Sequence, residues 1–253
     1  MKKIVFIVAG CLFFFYGYSQ DSSLITTSTK TPKIAAKSST IKIPNRPGDH
    51  LMIQLSSDHW TGMPDSIKSH QKGFSKGFSI YFMLDKPFRS SPQYSIGIGA
   101  GISTSNIIFS KMNIGVNSTA PLLPFTQTDS TNHFKKYKLA TGYLEVPLEF
   151  RYTSKPADLN KSFKAALGVK LGTLINAHTK GKNLQDKNNN LINSYVEKEN
   201  NKRYFNSTRF MATARVGYGI FSLFGTYQLN GVLKDGMGPD MKLFQVGLTL
   251  SGL

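Results

Sequence analysis

The chain holds one cysteine, Cys11, one tryptophan, and 14 acidic residues against 31 basic ones. Each scarcity excludes something. Cys11 lies within a leader expected to be removed, so no disulfide can brace the remainder and no thiol is left for catalysis. Beyond that leader no run is apolar for the ~20 residues a membrane helix needs. This leaves open a membrane crossing by strands, because a barrel strand shows lipid only every second residue. No His-Glu-x-x-His pair is present, which removes the commonest zinc-hydrolase signature.

What is present begins with an export signal. Lys2 and Lys3 precede an apolar stretch from Ile4 to Tyr16, and Gly17 and Ser19 stand at −3 and −1 of a cut after Ser19. That is the layout of a secretory signal peptide, assigned to residues 1–19. Val8-Ala9-Gly10-Cys11 has the look of a lipoprotein cleavage box, but Leu12 to Tyr16 continues the apolar run where a polar tether belongs. Residues 20–49 read as a flexible periplasmic lead-in. They are rich in Thr, Ser and Lys, with Pro44 and Pro47 breaking any regular element. The formal net charge of +17 would suit nucleic acid, yet an exported chain meets none. Outer-membrane lipid and anionic lipopolysaccharide are the expected partners, with other cell-envelope proteins as further candidates.

From residue 50 to 253 the texture is period two. Ile96, Ile98, Ala100 and Ile102 alternate with Gly97, Gly99, Gly101 and Ser103. Leu144, Val146, Leu148 and Phe150 alternate with Glu145, Pro147, Glu149 and Arg151. Leu167, Val169 and Leu171 alternate with Gly168, Lys170 and Gly172, and Phe244, Val246 and Leu248 with Gln245, Gly247 and Thr249. Less regular strands are expected over 51–58, 74–84, 209–217 and 221–229. The fold class expected is therefore all-β, an eight-stranded antiparallel transmembrane β-barrel of outer-membrane type. Its connections, about 61–73, 86–91, 112–138, 153–161, 179–204, 217–219 and 230–240, alternate long and short. An antiparallel barrel sorts them that way, with short turns and both termini on the periplasmic side.

The faces differ chemically. One is apolar; the other carries small residues with Glu145, Glu149, Arg151, Lys164, Lys170, Arg209 and Arg215. A narrow barrel is filled by its inward side chains, so Glu145 and Glu149 are expected to pair with Lys164 and Lys170 of the next strand. Pro147, lacking an N–H, suggests a bulge or break. Tyr81, Tyr94, Tyr143, Tyr152, Tyr218 and Tyr227 are expected to form interfacial girdles.

The stretches Tyr143-Leu144-Glu145-Val146-Pro147-Leu148-Glu149-Phe150-Arg151-Tyr152 and Phe163-Lys164-Ala165-Ala166-Leu167-Gly168-Val169-Lys170-Leu171-Gly172, with the signal peptide, resemble the PorT-like outer-membrane β-barrel proteins of Bacteroidetes. The resemblance runs from about Gly48 to Leu253. It implies a small outer-membrane barrel, one member of the family being tied to gliding and type IX secretion, and it implies no catalytic residue. The final Ser251-Gly252-Leu253 departs from the aromatic ending common in such barrels.

Two other classes compete. An exported soluble barrel would turn the apolar faces inward around a hydrophobic ligand. Glycines on the polar face argue against it, since only a crowded interior benefits from them. A barrel hydrolase acting on lipid or peptide would need Ser, His and acid groups meeting from different loops. Of His50, His59, His70, His133 and His178, only His50 and His59 follow an acid directly, Asp49 and Asp58, and adjacent strand residues face opposite ways. No catalytic residue, cofactor or metal site is assigned. Asp186-Lys187-Asn188-Asn189-Asn190 lacks the glycine and glutamate of a calcium loop. Lys180, Lys182, Lys187, Lys198, Lys202 and Arg203 make the third long connection basic. It is read either as a solvated loop or as a contact for lipopolysaccharide phosphate or an envelope protein.

Overall fold

The computed structural model describes residues 50–72 and 74–251; the expected signal peptide and lead-in lie outside the described residues. The strands are β1 (Leu51–Thr61), β2 (Lys76–Pro87), β3 (Tyr94–Phe109), β4 (Met112–Ile114), β5 (Phe125–Gln127), β6 (His133–Thr153), β7 (Phe163–Gln185), β8 (Leu191–Asn200), β9 (Thr208–Tyr218), β10 (Phe221–Gln228) and β11 (Lys242–Ser251). Eight of them run in a ring, β1-β2-β3-β6-β7-β9-β10-β11, with β11 pairing back onto β1 and every contact antiparallel. A closed ring leaves none of these eight strands as a free edge over the height where they pair.

Long and short connections fall at opposite ends. Pro87 turns quickly to Tyr94, Thr153 to Phe163, and Tyr218 to Phe221, all at the end where β1 begins and β11 finishes. Backbone bonds lace this end together: Thr153 N–H to the Gln93 carbonyl (2.8 Å), Gly219 to Ser162 (2.9 Å) and Ser251 to Ile220 (3.0 Å).

The strands outrun the sequence expectation. β6 begins at His133 and β7 reaches Gln185, so two expected loops hold regular structure, including β4, β5 and β8. A parity change hid this. In β6–β7, Tyr143 opposes Leu174 but Gly142 opposes Asn176, leaving Ile175 as an extra residue. A bulge of this kind exchanges the faces of everything beyond it. Below Ile175 the odd residues of β7 face out. Above it His178, Lys180 and Lys182 do, while Ala177, Thr179 and Gly181 are buried.

Pro147 causes a break and no bulge. The β3–β6 ladder lapses between Ile98–Leu148 and Gly101–Glu145 and resumes in the same register, while Pro147 keeps its place opposite Lys170. The missing N–H removes a rung without adding a residue.

The faces are sorted inside out relative to a water-soluble protein. Phe82, Leu167 and Leu223 are 69%, 67% and 65% exposed, whereas Arg209 and Lys170 are 1% and 2% exposed. Contiguous apolar surface on that scale is not found on soluble monomers. The inward apolar face of a soluble carrier is the reverse of this arrangement.

Candidate functional site

The ring interior has two stories. Toward the short-turn end it is a network of charges, and two glycines make it possible. Glu145, Gly172 and Arg209 stand side by side across β6, β7 and β9. Because Gly172 has no side chain, Glu145 and Arg209 meet above it. A Cβ there would lie 3.1 Å from the Glu145 Cγ. Arg209 donates to Glu145 Oε1 from Nη2 and from Nε (3.0 Å), and its guanidinium lies 3.8 Å from the Tyr143 ring centroid. Glu145 Oε2 accepts from the Tyr81 hydroxyl at 2.5 Å.

Glu149 is held similarly. Its Oε2 accepts from Arg151 Nε and Arg215 Nη2, each at 2.9 Å, and Arg151 also lies 3.5 Å from Asp85. Arg151 passes over Gly97, where a Cβ would stand 2.5 Å from its Nε. Between the two glutamates Lys170 donates to Gln54 Oε1 (2.7 Å) and to the Tyr81 hydroxyl (3.2 Å). Buried charges survive only when paired and hydrogen-bonded.

Two expectations change here. The glutamates take arginines as direct partners, Arg209 and Arg215 from β9 and Arg151 from their own strand, not the hairpin lysines. The cross-strand neighbours of Glu145 and Glu149 are Gly172 and Gly168, and Lys170 faces Pro147 between them. Tyr81 and Tyr143 leave the girdle for the interior, at 0% and 2% exposure. Parity explains it: Tyr81 lies between outward Ile80 and Phe82. Tyr94, Tyr218 and Tyr227 are exposed. Tyr94 also packs on Phe150 and Tyr152, at centroid distances of 5.7 and 5.4 Å, near the short turns.

Toward the other end the interior turns apolar. Ile107, Phe109, Leu139, Leu174 and Leu243 from the walls meet Ile67, Met112, Ile114, Val116, Leu123, Tyr204, Phe205, Val232 and Leu233. The second group comes from all four long connections, which therefore fold inward as a plug. Polar seams tie them to one another. Tyr204 donates to the carbonyls of Ser118 (2.6 Å) and Ala120 (2.8 Å), and Asn206 Nδ2 to those of Gly231 (2.8 Å) and Leu233 (2.9 Å). The Tyr137 hydroxyl accepts from Ile114 N–H (2.9 Å) and donates to the Ile114 carbonyl (3.0 Å). Sequence reading missed the plug because loop residues packed into a mouth obey no period.

The histidines do not assemble a catalytic group. Asp58 is fully buried inside the ring while His59 lies on the outer face opposite Phe244; Asp49 lies outside the described residues. His50 is exposed at the start of β1; His133 contacts Asn189 (3.2 Å) and His178 contacts Asn176 (3.3 Å). His70 comes nearest to a triad, with Ser69 Oγ at 3.0 Å from Nδ1 and Asp129 Oδ2 at 2.9 Å from Nε2. Yet Nδ1 also lies 2.9 Å from the Ser66 carbonyl, which can only accept. In the protonated ring both N–H groups are then spoken for, Nδ1 by that carbonyl and Nε2 by Asp129, and neither nitrogen is free to take a proton from Ser69. The hydrogen bond to Asp129 accordingly raises the His70 pKa and lowers that of Asp129. The pair clamps the first long connection to the second.

Asp186 is absorbed by its own turn. Oδ1 accepts from the backbone N–H of Asn188 (2.9 Å) and Asn190 (2.8 Å), and Oδ2 from Asn190 Nδ2 (3.0 Å). The Asn190 side-chain bond, first among these, lowers its pKa. Among the described residues no cluster of His, Cys, Asp or Glu is arranged to hold a metal. The basic loop residues separate: Lys180, Lys182 and Lys198 share a strand face, Lys187 sits in the β7–β8 turn, and Arg203 lies over Tyr204 (5.4 Å to the centroid). Lys202 is exposed beyond the end of β8.

No curated protein matches the chain. A family model described as an outer membrane protein beta-barrel domain matches residues 50–233, the stretch that holds all but the last ring strand. With its ring of eight antiparallel strands, apolar exterior and charged interior, the chain belongs to that outer-membrane β-barrel domain family.

Proposed function

We propose that the protein is an integral outer-membrane barrel of the PorT-like kind, with a structural or interaction role as an accessory to secretion or surface assembly. The observation that carries the membrane reading is the inverted sorting of the wall. From Phe163 to Ile175 the outer face of β7 is apolar or uncharged. That stretch is roughly 40 Å of strand and, at a tilt near 40°, roughly 30 Å of height, enough to cross a hydrocarbon core. In this reading residues 1–19 are removed on export, 20–49 lie in the periplasm, and the short turns and both termini face the same side.

The interior supports a role other than bulk transport. Lys170, Tyr81, Arg209, Glu145 and Phe205 are essentially without exposure, so side chains fill the ring from the charged network to the plug. The outward surfaces, chiefly the β6–β7–β8 extension, are then the parts available to partners.

The test is electrophoretic mobility of the tagged protein from washed outer membranes, unheated against boiled, with a parallel carbonate wash. A compact band that changes mobility only on boiling, and that carbonate leaves in the membrane, is the expected result. A carbonate-released protein with no shift would overturn the reading.

A further inference from the structure

Above the apolar belt β6, β7 and β8 continue as a three-stranded extension, and its outward face is crowded with ammonium groups. Lys138 stands opposite Lys180, which stands opposite Lys198, and Lys136 stands opposite Lys182. Like charges placed directly across from one another destabilise a sheet. Lys138 has one polar partner, Asn106 Oδ1 at 2.7 Å, and burial, followed by the nearby Lys180 charge, lowers its pKa.

Lys72 joins this group. Lys72, Lys136, Lys138, Lys180 and Lys182, with Ile108, line an open hollow of about 410 Å³ that no carboxylate lines. The absence of acid is a matter of sorting. Glu197 and Glu199 flank Lys198 in β8, but they stand opposite Gly181 and Thr179 on the other face. A face needing only water would have gained from mixed signs.

The hollow also stands above the belt. Ile108 stands beside Lys138; two rungs of small or polar residues follow, Asn106–Ala140 and Thr104–Gly142, and then Ile102–Leu144, Ile98–Leu148 and Ile96–Phe150 form an apolar column. On β7, exposed Ile175 lies at the top of the belt, with His178 between it and Lys180.

We propose that this face binds the phosphorylated headgroup of an outer-leaflet glycolipid whose acyl chains lie on the apolar column beneath it. Ammonium groups donate strong charge-assisted bonds to phosphate oxygens, and an anion between Lys138, Lys180 and Lys198 relieves their mutual repulsion. The position of the lysines above the belt on the same outward face selects a lipid over a soluble anion, because a free phosphate gains nothing from the apolar column below. The proposal rests on the membrane reading above.

The test uses full-length protein refolded into phosphatidylcholine nanodiscs doped with bisphosphorylated lipid A, or with the same lipid after enzymatic removal of its phosphates. Lipid retention is measured alongside the heat-dependent gel shift. Wild type should retain the phosphorylated form selectively. The Lys138→Gln/Lys180→Gln/Lys198→Gln variant should lose affinity on the order of a hundredfold, at about 1 kcal/mol per lysine near an anionic surface. Lys155→Gln/Lys161→Gln/Lys187→Gln, an equal charge loss elsewhere, should behave as wild type. In lipid-free detergent, Lys180→Gln should raise the unfolding temperature by relieving repulsion, a gain that misfolding cannot imitate.

Equal retention of both lipids, equal loss in the two triple variants, or full displacement by millimolar inorganic phosphate would each overturn the lipid site while the gel shift still reports an intact barrel. Loss of the shift in wild type would instead overturn the membrane reading, and this site with it.

Discussion

The two halves of the ring interior solve the same problem by opposite means. Near the short turns the interior is polar: Glu145, Glu149, Arg151, Lys170, Arg209 and Arg215 interlock over glycines, with few alternatives once the register is set. Near the long connections it is apolar, and Tyr204, Phe205, Val232 and Leu233 fill the mouth as an ordinary core would. The charged half is held by strands whose partners are fixed by ladders, so a displaced charge would be buried alone. The apolar half is held by loops, where non-directional burial tolerates irregular backbone. Specificity of pairing belongs to the first and exclusion of water to the second.

The sharpest way to break the charged half is to remove one shared anion. Glu149→Leu leaves Arg151 and Arg215 facing each other in the interior. It should cost about 3–5 kcal/mol, the scale for orphaning a buried charge. Asp186→Asn, which alters an exposed turn, should cost well under about 1 kcal/mol by comparison. Thermal midpoints of the gel shift in detergent compare them, and equal midpoints would remove Glu149 from the network.

The plug should fail differently. Phe205→Ala deletes a fully buried ring and should cost about 3 kcal/mol locally. Hydrogen exchange should then rise in residues 110–132 and 229–241 while the ring ladders stay protected. Uniform exchange throughout would mean that plug and ring unfold as one unit, and the comparison would collapse.

Glycine substitutions measure how full the charged half is. A Cβ at Gly168 would run into the Leu148 carbonyl oxygen, whereas one at Gly142 meets nothing closer than 3.7 Å. Gly168→Ala should therefore destabilise by about 1–3 kcal/mol, and Gly142→Ala should be close to neutral. Matching melting curves for the pair would show that the strands shift freely to make room.

The smallest effect is the pH response of the loop clamp. The raised His70 pKa means that its contribution is complete below the ordinary histidine value near ~6.5 and is lost as pH rises through the raised one. The lowered Asp129 pKa means that its contribution is present above the ordinary carboxylate range and is lost as pH falls through the lowered value. The clamp is tightest between them, at mildly acidic pH. Proteolysis of the 62–75 connection should increase as His70 deprotonates, and Asp129→Asn should flatten that profile and return the His70 titration, followed by NMR, toward its ordinary value.

Much of the wall was legible because two-residue periodicity is local. Leu167-Gly168-Val169-Lys170-Leu171 declares two faces without reference to any other strand, and its glycines mark the crowded one. The same parity, followed strictly, puts Tyr81 and Tyr143 inside, where height along the strand suggested a girdle. The pairing of Glu145 with Arg209 was not legible, since it depends on Gly172 lying between them in a three-strand rung. Nor was the lysine face: Lys136-Tyr137-Lys138 and Lys180-Gly181-Lys182 show the alternation, but only the bulge at Ile175 turns them to the same side.

By itself, then, the sequence determined eight strands, their long and short connections and the chemical split between faces, because each of these rests on neighbours in the chain. The tertiary structure decided which glutamate meets which arginine, that four long connections close the mouth as a plug, and that lysines from three strands gather on one outer face. Those outcomes depend on register, a quantity that exists only when two strands are placed side by side.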